Sequence, residues 1–204
     1  MMKVLDEKFG VFGRIVRGDY LECYIPKIED SLRVTLIIKC FVKSLPADWK
    51  SQEEDAKKRI RIFKAHGIRL ALGIGELVRL DLKKGIIDGE AIYFSGRKLS
   101  EEKTHDKKRV AVRQTLFFES FEEDLNQEVT TLLALVDELI NRATAKQCQV
   151  LLHKLMGKDE QTISDELKRG QPTINQHSKQ AGWHAIEQAV IYFENVISKK
   201  LESK

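Results

Sequence analysis

The chain has 204 residues, which is enough for one large or two small domains. Its hydrophobic content of 42% supports a real core, and its charged content of 32% predicts a well-hydrated surface. The formal net charge of +4 permits binding to an anionic polymer, but a dedicated nucleic-acid surface would require local clustering of basic residues.

Membrane and secreted proteins are disfavoured by the sequence. No apolar run approaches the roughly 18–20 residues that span a bilayer. The first ten residues resemble neither a signal peptide nor a transit peptide. The cysteines, Cys23, Cys40 and Cys148, are widely spaced in apolar surroundings, which is typical of reduced core residues. We therefore expect a cytoplasmic protein that has no membrane partner.

The first 46 residues predict a helix, a hairpin and a second helix. Apolar residues at helical spacing predict the end of a helix within residues 1–12. Gly18 and Asp19 predict a turn between strands at 13–16 and 21–25. Residues 28–44 have an apolar helical face, and Pro46 ends this helix.

The next stretch mixes charged and apolar segments. Residues 47–65 are expected to form either a helix or a long irregular segment on the surface. Residues 68–74 predict a short strand. Residues 77–85 suggest a loop that carries a variable insertion. Residues 87–89 open a helix over 90–99, and partial alternation predicts a last strand over 109–118.

Residues 125–141 predict a long helix that joins two domains. Its leucine, valine and isoleucine side chains cover much of the circumference, which indicates burial on more than one side. A homodimer is one way to bury both sides.

Residues 143–195 predict three short amphipathic helices and a longer fourth. Arg169 and Gly170 predict a tight turn in which glycine supplies the positive φ. Pro172 then stands at the start of the third helix, where its fixed φ is suited to the first turn. Ile174 is expected to face inwards. The last helix has an apolar stripe that packs on the other three or pairs with its copy in a dimer.

This layout is that of a helix-turn-helix, in which the polar face of the third helix can enter the major groove of double-stranded DNA. The residues expected to face the DNA or to flank it are Lys168, Arg169, Thr173, Asn175, Gln176, Ser178 and Lys179. Asn and Gln can bond adenine edges in pairs, while Lys, Ser and Thr can hold phosphates. The alternative is a small helical bundle whose polar face is merely hydrated. The segment also resembles region 4 of sigma factors, along residues 144–147, 163–167 and 173–176.

Three further motifs occur in order: Arg17-Gly18-Asp19 with Leu21-Glu22, then residues 68–76 with sequence IRLALGIGE, then Asp88-Gly89-Glu90-Ala91 with residues 95–99. Together they resemble the SatD family of bacterial proteins and, beyond it, the class III nucleotide cyclase and GGDEF-type fold. The resemblance covers residues 10–99. It implies that Asp19 corresponds to a metal-binding carboxylate, with Mg²⁺ and a nucleotide as the possible cofactors.

The resemblance is incomplete at the amino-terminal end. In the cyclases a first strand carries a second carboxylate, and the chain has no segment that matches it. Either this strand and its helix have been lost, or the true start of the protein lies upstream of Met1. A site with one carboxylate would bind two metals poorly, so we expect no catalysis. Because the first strand is central in that fold, its loss exposes unpaired edges. We therefore expect either a strand from a partner chain or a rearranged sheet.

The sequence thus predicts an α+β protein: a partial ferredoxin-like or cyclase-like sheet domain over residues 1–122, a connecting helix over 123–142, and an all-α helix-turn-helix domain over 143–204. The favoured function is DNA-binding transcriptional regulation, with a non-catalytic sensing or dimerisation domain. The alternatives are a degenerate metal-dependent nucleotide-binding or cyclase-like enzyme, and a protein-interaction adaptor.

Overall fold

The computed structural model describes residues 1–18, 20–46, 53–101, 105–106, 109–110 and 114–202. Within these ranges the chain has an α+β fold. Its helices are α1 (Met2–Phe9), α2 (Ser31–Ser44), α3 (Glu54–His66), α4 (Glu90–Glu101), α5 (Glu123–Arg142), α6 (Ala145–Leu155), α7 (Glu160–Leu167), α8 (Gln171–Gln180) and α9 (Trp183–Glu202). Its strands are β1 (Phe12–Arg17), β2 (Tyr20–Tyr24), β3 (Leu70–Gly73), β4 (Leu77–Asp81), β5 (Ile86–Gly89), β6 (His105–Asp106), β7 (Arg109–Val110) and β8 (Leu116–Glu119).

The predicted amino-terminal hairpin is confirmed. Strands β1 and β2 pair antiparallel, with Phe12 opposite Tyr24 and Ile15 opposite Leu21. Gly18 has a φ of 52°, which glycine adopts at little steric cost. The proposed metal ligand at the turn, Asp19, lies outside the described residues.

Helix α2 is the most deeply buried helix of the amino-terminal half. It starts three residues later than predicted, and Leu32, Leu36 and Ile37 are fully buried. After the undescribed residues 47–52, the charged segment forms helix α3, so the first of its two predicted conformations is the correct one.

The described strands form four separate two-stranded sheets. Strand β3 runs parallel to β8, with Leu70 opposite Leu116 and Gly73 opposite Glu119. The prediction of a loop over residues 77–85 is wrong, because β4 and β5 form an antiparallel hairpin there. Val78 is 84% exposed and Leu80 is 42% exposed, so strand β4 lacks the buried face by which a strand is usually recognised.

Helix α5 lies with one face in the core. Its buried side chains, Leu125, Val129, Leu133, Val136, Asp137 and Ile140, recur at helical spacing. Burial on a second side is absent within the described part of the chain, where Leu135 is 66% exposed.

Helix α9 packs against α2, α5 and α8, and its buried Phe193 meets Phe118 of β8 edge to face with ring centroids 6.4 Å apart. The main hydrophobic core is continuous from Leu5 to Ile197 and crosses the predicted boundaries at residues 122 and 142. The division into domains stays a prediction. No helix in the described part of the chain is long and apolar enough to cross a membrane.

Candidate nucleic-acid interface

Helices α6, α7 and α8 form a compact three-helix unit. Thr144 and Gln147 make a reciprocal capping box at the start of α6, and Asp159 caps α7 by accepting from the Thr162 amide at 2.8 Å. A separate small core holds the three helices together through Val150, Ile163, Ile174 and the partly buried Leu167. The predicted inward position of Ile174 is confirmed, since its side chain is fully buried.

The turn between α7 and α8 differs from the prediction. Its left-handed residue is Lys168, with a φ of 51°, whereas Gly170 has a φ of −58°. The Ser164 hydroxyl donates to the Arg169 carbonyl at 2.6 Å, which ties the turn back to α7. Gly170 is instead the residue that precedes α8, and Pro172 lies in the first turn of α8 as expected. The turn thus holds an exposed lysine in the conformation usually given to glycine.

The outer face of α8 is polar. Thr173, Gln176 and Lys179 are exposed, as predicted. The prediction that Ser178 faces outwards is wrong, because its side chain is 4% exposed. Ser178 lies four residues after Ile174, so both side chains are on the same face of the helix. A small hydroxyl at this position allows α8 to pack closely on its neighbours.

Asn175 is half-buried and already has a partner. Its amide donates to the Glu160 carboxylate at 3.2 Å, and the Lys154 ammonium lies 3.0 Å from the same carboxylate. The hydrogen bond from Lys154 holds the pKa of Glu160 below its usual value, and the bond from Asn175 acts in the same direction. One carboxylate thus links α6, α7 and α8. Asn175 therefore helps to orient α8 relative to α7.

Arg169 also points back into the unit. Its guanidinium donates to Gln149 of α6 at 2.9 Å, and the residue is half-buried. Lys168 is exposed beside it. Of the three basic residues predicted to flank the recognition helix, Lys168 and Lys179 are exposed and Arg169 is half-buried.

The amino-terminal end of α6 lies next to the carboxyl-terminal end of α8. Gln147 donates to Gln180 across this contact at 3.2 Å, and Lys146 is exposed beside it. Sequence reasoning missed Lys146 and Gln180 as members of the same surface. The pattern Thr144-x-x-Gln147 could have located the start of α6, but it contains nothing about α8. We call the exposed set Lys146, Lys168, Thr173, Gln176, Lys179 and Gln180 the α8 surface.

Two carboxylates of the cyclase-like motifs, Glu22 and Glu90, make polar contacts with neighbouring groups. Glu22 accepts from Arg14, with Nη2 to Oε2 at 2.6 Å, and Glu90 accepts from the Glu76 amide at 3.2 Å. Within the described residues, no group of three His, Cys, Asp or Glu side chains could hold a metal ion. All three cysteines are free thiols.

The chain matches no protein-family model, and neither the curated proteins nor the solved structures give a match.

Proposed function

We propose that this chain is a DNA-binding protein, with a role in transcriptional regulation, that places α8 in the major groove of double-stranded DNA. The observation that carries the proposal is the α8 surface: an exposed polar helix face follows a tight turn and has basic residues at both ends. Lysines suit phosphates, while Thr173 and Gln176 can reach base edges. Asn175 becomes a base contact if its bond to Glu160 opens.

The rigidity of the three-helix unit supports the same function. A recognition helix must present its side chains in a fixed register, and α8 is held by Ile174 in the small core and by the Lys154–Glu160–Asn175 chain.

The amino-terminal α+β part, in this proposal, is a non-catalytic sensing or dimerisation domain of partial cyclase-like type, and the protein acts as a homodimer in the cytoplasm. The ion pair of Glu22 with Arg14 favours this role over a two-metal enzyme, because it engages a carboxylate that a metal ion would need.

Fluorescence anisotropy with duplexes selected from a random DNA pool tests the proposal. The expected affinity falls steeply as salt rises, because each phosphate contact releases counterions. Gln176→Ala should weaken binding to the selected duplex by roughly 1–3 kcal/mol and relax its base preference.

Lys83→Ala is the matched control, because it removes an exposed lysine of the β4–β5 turn, outside the α8 surface. It should leave the affinity unchanged. Failure to enrich any duplex at low salt, or equal effects of Gln176→Ala and Lys83→Ala, would refute the assignment.

A further inference from the structure

A second feature lies outside the helix-turn-helix unit and is independent of DNA binding. A cavity of about 340 Å³ separates the hairpin strand β2 from β3. Helices α2 and α4 contribute further walls, including Thr35, Ile38, Ala91 and Ile92. Most of the lining side chains are apolar.

The cavity meets both strands at their edges. Every residue of β2 and every residue of β3 lines it. Successive side chains of a strand point to opposite faces, so a cavity that lay over one face would meet alternate residues. Contact with consecutive residues therefore places the cavity beside the strands, where the backbone is accessible.

Both of these edges are unpaired within the described part of the chain, where β2 pairs with β1 and β3 pairs with β8. The amide of Leu70 donates to Thr115, just before β8, at 2.8 Å, and the amide of Ile74 donates to Glu119 of β8 at 3.0 Å. Because backbone groups alternate along a strand, the N–H and C=O groups of Ala71 and Gly73 point to the opposite edge, towards the cavity.

Both charged residues of the lining, Glu22 and Arg69, already have interaction partners. Glu22 is ion-paired with Arg14, and Arg69 donates to the Leu99 carbonyl at 3.1 Å while its guanidinium stacks 5.4 Å from the Phe117 ring centroid. An occupant that brought its own charge would find no free counter-charge here and would lose its hydration. The complementary occupant is therefore uncharged.

We propose that this cavity is a strand-acceptor site, which binds an extended, uncharged, apolar peptide segment of a partner polypeptide. The segment adds a strand to the free edge of β3 and packs its side chains against α2, α4 and β2. A periodic row of backbone donors and acceptors calls for a partner with the same period, which a peptide strand provides. Four residues of β3 span about 13 Å, so four or five residues of the segment pair with it.

Selection of peptides from a displayed library of random heptapeptides on the full-length chain tests this proposal. The enriched peptides should be uncharged, apolar and free of proline. Binding of a selected peptide should slow the hydrogen exchange of the Ala71 and Gly73 amides, because these groups then donate to the added strand.

Two variants locate the binding. Ala71→Pro removes an edge amide that does not donate to β8. It should lower the affinity for the selected peptide about tenfold or more, in line with the loss of one hydrogen bond. Ile92→Trp fills the cavity from α4 without altering either strand, and should abolish binding, whereas Ile92→Leu should retain it. Circular dichroism verifies that each variant is folded.

Three outcomes would overturn the proposal. One is a selection without a common pattern. Another is a selected peptide that binds Ile92→Trp as well as the natural chain. The third is protection of Ala71 and Gly73 by self-association of the free chain, which would assign the edge to a second copy instead. The selection uses no DNA, so loss of DNA binding would leave its result unaffected.

Discussion

Lys39 and Asp137 form an ion pair that is closed to solvent: Nζ lies 3.2 Å from Oδ1, and the two side chains are 0% and 2% exposed. Thr115, just before β8, donates to Asp137 through its hydroxyl at 2.6 Å and accepts from Lys39. Burial lowers the pKa of Lys39, and the neighbouring Asp137 carboxylate opposes this shift. Lys39 lies on α2 and Asp137 lies on α5, so the ion pair fixes the position of α2 relative to α5.

Removal of one partner should be strongly destabilising. Lys39→Met leaves a buried carboxylate without its cation, and we expect a loss of about 3–5 kcal/mol in the free energy of unfolding. Urea denaturation followed by circular dichroism measures it. The double variant Lys39→Met/Asp137→Leu should lose less than the sum of the two single variants, because it leaves neither charge unpaired. Additive losses would mean that the pair is not coupled.

Two glycines, Gly73 of β3 and Gly96 of α4, should respond in opposite directions to substitution by alanine. A Cβ on Gly73 would lie 2.1 Å from the Ala91 carbonyl oxygen, so Gly73→Ala must push α4 away from β3. We expect a loss of about 1–3 kcal/mol, as for other overpacked cores. Gly96 lies within α4, and a Cβ there would meet its nearest atom, the Tyr20 hydroxyl oxygen, at 3.9 Å. Gly96→Ala should therefore stabilise the chain by up to about 1 kcal/mol. Thermal unfolding of both variants measures the difference, and a shift of the same sign in both would contradict it.

Periodicity was sufficient for the long helices but not for exposed strands. Helices α5 and α9 bury a continuous stripe, so their spacing is visible in the sequence, and α2 is apolar over most of its buried length. Strand β4 has Val78 and Leu80 in solvent with Arg79 between them, and its identity depends on pairing with β5, which is not a local property.

The residues of the α8 surface were predictable only where their exposure follows from the local sequence pattern. The polarity of α8 indicated a surface helix, and Thr173, Gln176 and Lys179 are indeed exposed. Ser178 was misplaced because its polarity was weighted above its four-residue spacing from Ile174. The partner of Asn175 is on another helix, so local sequence contains no sign of it.

The three-helix unit should lose stability at mildly acidic pH through His153. Burial lowers the pKa of this imidazole, Lys158 acts in the same direction, and Glu166, 3.0 Å from Nδ1, opposes them. The folded pKa lies below the unfolded value of 6.5, so the unfolded chain binds the proton more readily. Stability should therefore be complete above about pH 6.5 and decline as the pH falls below it.

Urea midpoints measured between about pH 7.5 and 5.5 test this, because carboxylates such as Glu166 titrate lower. Burial also lowers the pKa of His66, so this residue contributes to the pH dependence as well. The effect of His153 is therefore the difference in the pH dependence of the urea midpoint between the natural chain and His153→Gln. The variant should show a flatter decline. Parallel curves would mean that His153 does not contribute.

Lys168 should limit stability and support DNA binding at the same time. It is exposed at the turn before α8, with a φ of 51°, which costs a residue with a Cβ about 1–2 kcal/mol relative to the right-handed region. Lys168→Gly should raise the free energy of unfolding by about 1 kcal/mol, because glycine adopts this backbone conformation without strain. The gain is smaller than the full strain, since glycine also increases the conformational entropy of the unfolded state. Lys168→Ala keeps the Cβ and should leave stability nearly unchanged.

Both variants remove the same positive charge from the α8 surface. Each should therefore weaken DNA binding across all sequences and reduce the slope of log K against log salt by about 1. Stability from urea titration and affinity from anisotropy in a salt series separate the two roles. If Lys168→Gly and Lys168→Ala differ in the salt slope, the backbone conformation rather than the charge of Lys168 controls the contact. If neither variant changes the slope, Lys168 does not face a phosphate.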